Sequence, residues 1–198
     1  MILIFKRRIG DIMKIFVKNM VSLRCILFMK SVLKELGFTP VYVTLGEIET
    51  EEELSDLEKN KLNIRIKEAE LELLEKRKDI IVEKVKHVII DYIYNPDEQP
   101  NLNFSDLLSQ KLNYNYNYLS NLFLETEHIT ITQYIIRLKI ERIKELILLD
   151  ELTLSEIAYK LHYSSCSHLS NQFKKITGLP PSQFQKMKVN NRLAIQEI

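Results

Sequence analysis

The segment LSNLF at residues 119–123 returns as LSNQF at 169–173, and each copy follows a short amphipathic run, FSDLLSQKL before the first and LSEIAYKL before the second. A repeat of this kind signals two copies of one supersecondary unit. Each copy reads as two short helices meeting at a tight corner. The corners carry Asn113 and His162 rather than glycine, and both residue types tolerate the left-handed backbone a sharp corner needs, at about 1 kcal/mol. Ser105 and Ser155, each followed by an acidic residue, are the expected helix caps. Between the copies, TITQYIIRLKIERIKELILLDE predicts one long helix over 132–149. Two helix-turn-helix units on a helical strut are therefore expected.

The rest of the chain fits an α+β protein. Among 198 residues there are only 4 Gly and 5 Pro, which leaves little room for long loops. Residues 13–77 read as a small ferredoxin-like βαββαβ sandwich. Ile15 and Val17 alternate, a helix with Cys25, Leu27, Phe28, Val32, Leu33 and Leu36 facing inward ends at Gly37, and VYVTLGEIE turns at Gly46. A second helix starts at Ser55 and runs to about Glu68, and LELLE at 71–75 supplies the last strand. The all-α region spans 80–188 and begins with a helix over 80–94 that ends at Asn95-Pro96. Residues 1–12 read as an N-terminal extension and 189–198 as a tail.

Several function classes are disfavoured. The formal net charge is +1, so any anion-binding surface must be local rather than global. Cys25 and Cys166 are far apart and form no disulfide framework, and no stretch is apolar enough for a signal core or a membrane span. A cytoplasmic location with no membrane partner is the expectation. His87, His128, His162 and His168 lack metal-ligand spacing, and no phosphate loop or nucleophile elbow is present. Neither an enzyme nor a cofactor is expected.

KNMVSLRC, residues 18–25, resembles the metal loop of heavy-metal-associated domains, with Ser22 where the first cysteine of the family's pair would stand. Cys25 is thus a candidate soft-metal ligand lacking its partner thiolate. The alternative is a half-buried packing residue, with the sandwich serving as a homodimer or protein-contact module. Between Glu47 and Asp79 twelve acidic residues stand against seven basic ones, a solvated face that repels DNA.

The repeated units have the chemistry to read duplex DNA, because an α-helix fills a major groove and two helices one turn apart can enter successive grooves. In the second unit, Ser165–Lys175 presents Ser165, Ser167, His168, Asn171 and Gln172 to bases or phosphates, with Lys174 and Lys175 for phosphate attraction. Leu169, Phe173 and Ile176 are expected to face the core. The first unit, Tyr116–Thr126, offers Tyr116, Asn117, Tyr118, Ser120 and Asn121 but ends in Glu125 and Glu127. From Thr153 onward six basic residues face two acidic ones, which predicts an asymmetric footprint.

The ending Phe173-Lys174, Gly178, Pro181, with Leu154, Ile157, Ala158 and Leu161 before it and SQFQKM after it, resembles the AraC/XylS family of transcription regulators over residues 80–188. The resemblance implies sequence-specific promoter binding and contact with RNA polymerase. The chain departs from the family pattern at His162-Tyr163, where Gly-Phe is usual, and at Asn171-Gln172, where an arginine usually precedes the Phe-Lys pair. Without that arginine a strong guanine or phosphate contact is missing, so relatives' specificity does not transfer. The competing readings are a protein-interaction module with weakened DNA binding and a soft-metal sensor or carrier using Cys25.

Overall fold

The computed structural model describes residues 13–51, 53–95 and 103–187. The expected extension 1–12, most of the turn after Asn95 and the tail 189–198 lie outside the described residues. Contacts divide the chain into two units, Met1–His87 and Val88–Ile198, and the dividing point falls inside a helix.

The first unit follows the order β1 (Met13–Lys18), α1 (Leu23–Glu35), β2 (Pro40–Thr44), β3 (Glu47–Thr50), α2 (Asp56–Lys67) and β4 (Glu72–Leu74). Its four strands form one antiparallel sheet in the order β2-β3-β1-β4. Alternation along β1 and β3 sends Val17 and Ile48 into a core with Met20, Met29, Val32, Leu33, Leu62 and Ile66, as period-2 strands and amphipathic helices require. Ser55 begins α2 with a capping box to Glu58. Leu27, expected to face inward, is 58% exposed. The inward stripe of α1 instead runs through Met29, Val32 and Leu33, and Leu27 lies outside that stripe.

α3 (Arg77–Tyr94) starts three residues before its expected position. Its first turns belong to the sandwich unit. Glu83, only 5% exposed, accepts the backbone N–H of Asn19 at 2.8 Å, and Lys84 sits over the Phe16 ring. The Gly46 turn lies against His87, so that a Cβ there would approach the imidazole Cε1 to 2.2 Å.

The second unit contains α4 (Phe104–Leu112), α5 (Tyr116–Glu127), α6 (Ile131–Leu149), α7 (Leu154–Lys160), α8 (Cys166–Thr177) and α9 (Pro181–Met187). The long helix α6 buries Ile131, Tyr134, Leu138, Ile140, Ile143, Leu146 and Ile147 and packs on α5, α7, α8 and α9. The caps differ from expectation: Asn103 and Thr153, not Ser105 and Ser155, start α4 and α7. Each stands three residues before Asp106 or Glu156, whose backbone N–H its side chain accepts. That spacing satisfies an orphan donor of the first turn, whereas a serine inside the turn cannot.

Candidate nucleic-acid interface

The two corners are left-handed at the residues the sequence singles out, with φ of 56° at Asn113 and 55° at His162. Neither corner needs glycine because Asn and His carry the strain. The duplication also reaches further than the LSN motif. Phe123 and Phe173 are both fully buried, and each is met edge-on by an aromatic from the following helix, Tyr134 at 5.4 Å and Phe184 at 5.5 Å. The ends of α5 and α8 match as well, with His128 at φ 59° and Gly178 at φ 79°. Burial of the two phenylalanines fixes which face of α5 and α8 points outward.

On α8 the exposed polar positions are Ser167, His168, Asn171, Lys174 and Lys175, one face by helical spacing. The matching exposed positions on α5 are Asn117, Tyr118, Asn121, Leu124 and Glu125. The faces differ most at their C-terminal ends. Two lysines complement the helix dipole on α8, while a leucine that is 45% exposed and a glutamate stand there on α5.

The remaining sequence-selected residues are placed differently. Ser165 is the N-cap of α8, and its hydroxyl accepts the His168 backbone N–H at 3.0 Å. Gln172 is half-buried and its Oε1 accepts the Tyr163 hydroxyl. Tyr116 and Ser120 are half-buried. Ile176, expected in the core, is 49% exposed, because Leu169 and Phe173 already fill the inward stripe of α8.

A corner network escaped the sequence reading. The Lys139 ammonium on α6 donates to the Leu161 carbonyl at 2.7 Å and lies 5.1 Å from the centre of the Tyr163 ring. Tyr163 in turn holds Gln172 and meets His168 edge-on. Strut, corner and exposed helix are thereby tied in series. Burial pushes Lys139 down to about 8 and Tyr163 up to about 12. The only sequence trace of this network is a lysine amid the apolar run of α6, which shows no partner.

In the first unit Cys25 is half-buried against the core, its thiol 3.4 Å from the Ser22 hydroxyl. Among the described residues no group of three or more His, Cys, Asp or Glu is placed to hold a metal ion, and no helix is long and apolar enough to cross a membrane.

Two helix-turn-helix corners present exposed polar helices, and residues 108–187 match the family described as a helix-turn-helix domain. Among particular relatives, an uncharacterized HTH-type transcriptional regulator, YtdP, of Bacillus subtilis is 28% identical over 83 residues, which cover 42% of this chain and 11% of that protein. The Msm operon regulatory protein of Streptococcus mutans is 30% identical over 84 residues, 42% of this chain and 30% of that one. The chain thus matches less than a third of the length of these curated relatives. Among solved structures, the C-terminal domain of AraT, a response regulator from Geobacillus stearothermophilus, is similar over 60% of this chain and 92% of that one, with a TM-score of 0.49 and 24% identity.

Proposed function

We propose that the chain is a sequence-specific DNA-binding transcription regulator of the AraC/XylS type, with α5 and α8 entering successive major grooves of promoter DNA. The observation that carries this is the pair of matched exposed faces, each held outward by a buried phenylalanine. The groove-facing set is Ser167, His168, Asn171, Lys174 and Lys175 on α8, joined by Asn117, Tyr118 and Asn121 on α5. Ser165, Gln172, Tyr116 and Ser120 act by positioning these helices. The match of 108–187 to a helix-turn-helix family and the regulatory relatives support the same reading.

Residues 80–188 form the DNA-binding part in this reading, and contact with RNA polymerase follows from the family resemblance. Its work on promoter DNA places the protein in the cytoplasm. The strand order β2-β3-β1-β4 within a βαββαβ chain supports a ferredoxin-like sandwich in the first unit, and a homodimer contact is its proposed role. The fold around Cys25 favours packing over a metal site.

Leu124 and Glu125 favour a second reading, in which the first helix-turn-helix contacts protein rather than DNA. Gel-shift assays on the gene's own upstream DNA and on an unrelated duplex separate the two. The regulator reading expects preferential binding to the upstream DNA that weakens steeply with salt; equal and salt-insensitive retention of both duplexes contradicts it.

A further inference from the structure

Asn121 and Asn171 occupy the same place in the two units, two residues before the final buried phenylalanine of LSNLF and LSNQF. Both are exposed. Every other exposed position differs between the faces: Asn117 against Ser167, Tyr118 against His168, Leu124 against Lys174, Glu125 against Lys175. Shared residues such as Leu119 and Leu169 are buried and serve packing. Asparagine is therefore the one outward-facing side chain that the duplicated unit keeps in both copies.

Asn117 is a further exposed amide on α5, but α8 has Ser167 at its place, and other neighbouring amides are committed elsewhere. Asn103 caps α4 and Asn115 caps α5, and Gln172 is held by Tyr163. The Asn121 and Asn171 amides have no intramolecular partner among the described residues, leaving both donor and acceptor open. A free carboxamide on a groove-entering helix matches adenine, whose N6 amino group donates and whose N7 accepts along the major-groove edge.

We infer that Asn121 and Asn171 each read one adenine, so that the bound DNA carries an adenine at the same relative position in each of two half-sites. The half-sites lie about 10 base pairs apart, one turn of the duplex. This rests on the regulator reading above. It adds that base specificity is shared by the two units although charge is not: α8 draws the backbone with Lys174 and Lys175, and α5 reads without that attraction.

The test is selection of bound duplexes from a random pool with the full chain, repeated with Asn121→Ala and Asn171→Ala after checking that both melt like the parent. The parent is expected to enrich two adenines one turn apart. Each variant should lose the preference at one of them, with affinity for the selected site falling roughly 5- to 150-fold. Replacing the adenine that Asn171 reads by 7-deazaadenine, which lacks the N7 acceptor, should weaken the parent and leave Asn171→Ala unaffected. An enriched site that neither variant alters, or one in which both variants relax the same position, overturns this inference alone. No enrichment by the parent overturns both this inference and the regulator reading.

Discussion

At the corner of each unit the chain spends a left-handed residue without glycine. His162 is exposed, at φ 55°, and among the described residues its ring makes a tilted contact with Tyr92 at 6.2 Å. His162→Gly should therefore leave stability unchanged or raise it by up to about 1 kcal/mol, read as an unchanged or higher midpoint in urea. A lower midpoint would mean that the Tyr92 contact outweighs the backbone strain. The two turn glycines separate strain from crowding. At Gly178 a Cβ meets nothing within 4 Å, so Gly178→Ala should cost only the strain of φ 79°, about 1 kcal/mol. At Gly46 the same change also strikes the His87 ring, and the sum should reach about 2–4 kcal/mol by thermal melting, with partial rescue in Gly46→Ala/His87→Ala. The two corners were legible because their conformation is set locally: Asn113 and His162 stand at the turn between two amphipathic runs. The outward placing of Leu27 and Ile176 was not legible, because apolar spacing marks a stripe without saying where packing partners end.

For whole elements, the caps and the corner network decide how firmly α7 and α8 are held. Thr153 accepts the Glu156 backbone N–H while the Glu156 carboxylate accepts the Thr153 backbone N–H at 2.7 Å. Thr153→Ala should cost about 1 kcal/mol, whereas Ser155→Ala, inside the first turn, should stay within about 0.5 kcal/mol; denaturant midpoints compare them. The T-x-x-E pattern was present in the sequence, and counting back three residues from Glu156 locates the cap. Lys139 has no such local signature, since its partner Leu161 comes from another helix. Its effect is expected in pH dependence. Unfolded, the side chain titrates near 10.5; folded, near 8. Between those values the unfolded chain binds more proton, so stability should rise with pH across about 8 to 10.5, by on the order of 1–3 kcal/mol. Below about 8 both states are protonated and the increment is absent. Lys139→Met should show a flatter profile over that window, and identical slopes would remove Lys139 as a buried titrating group. Gln172 teaches the same lesson. Its residue type suggested base contact, but a tyrosine nine positions earlier engages it, and side-chain pairing across a corner is not written in composition.

On the scale of the molecule, a nearly neutral chain carries its positive charge where the duplicated architecture can use it. The repeat made two helix-turn-helix units and their connecting helix legible from sequence, because buried Leu and Phe recur at fixed offsets from the corner. The buried aromatic of the following helix, Tyr134 or Phe184, extends the duplication beyond the matching letters, since packing preserves shape and burial more than identity. Charge was legible too, as was the outward placing of Asn171 and Lys174, but the half-burial of Gln172 and the exposure of Ile176 required the fold. The central claim is that α8 and α5 enter DNA grooves, with α8 supplying most of the phosphate attraction. Its most direct test is fluorescence-anisotropy titration of the selected duplex and a shuffled duplex across salt concentrations, for the parent and for Lys174→Ala/Lys175→Ala. The account predicts tighter binding to the selected duplex, a falling log-log salt dependence, and a slope shallower by up to about 1.8 in the double variant, about 0.9 for each lost phosphate contact, with the sequence preference retained. Equal binding to both duplexes, or a salt slope that the two lysines do not change, would contradict it.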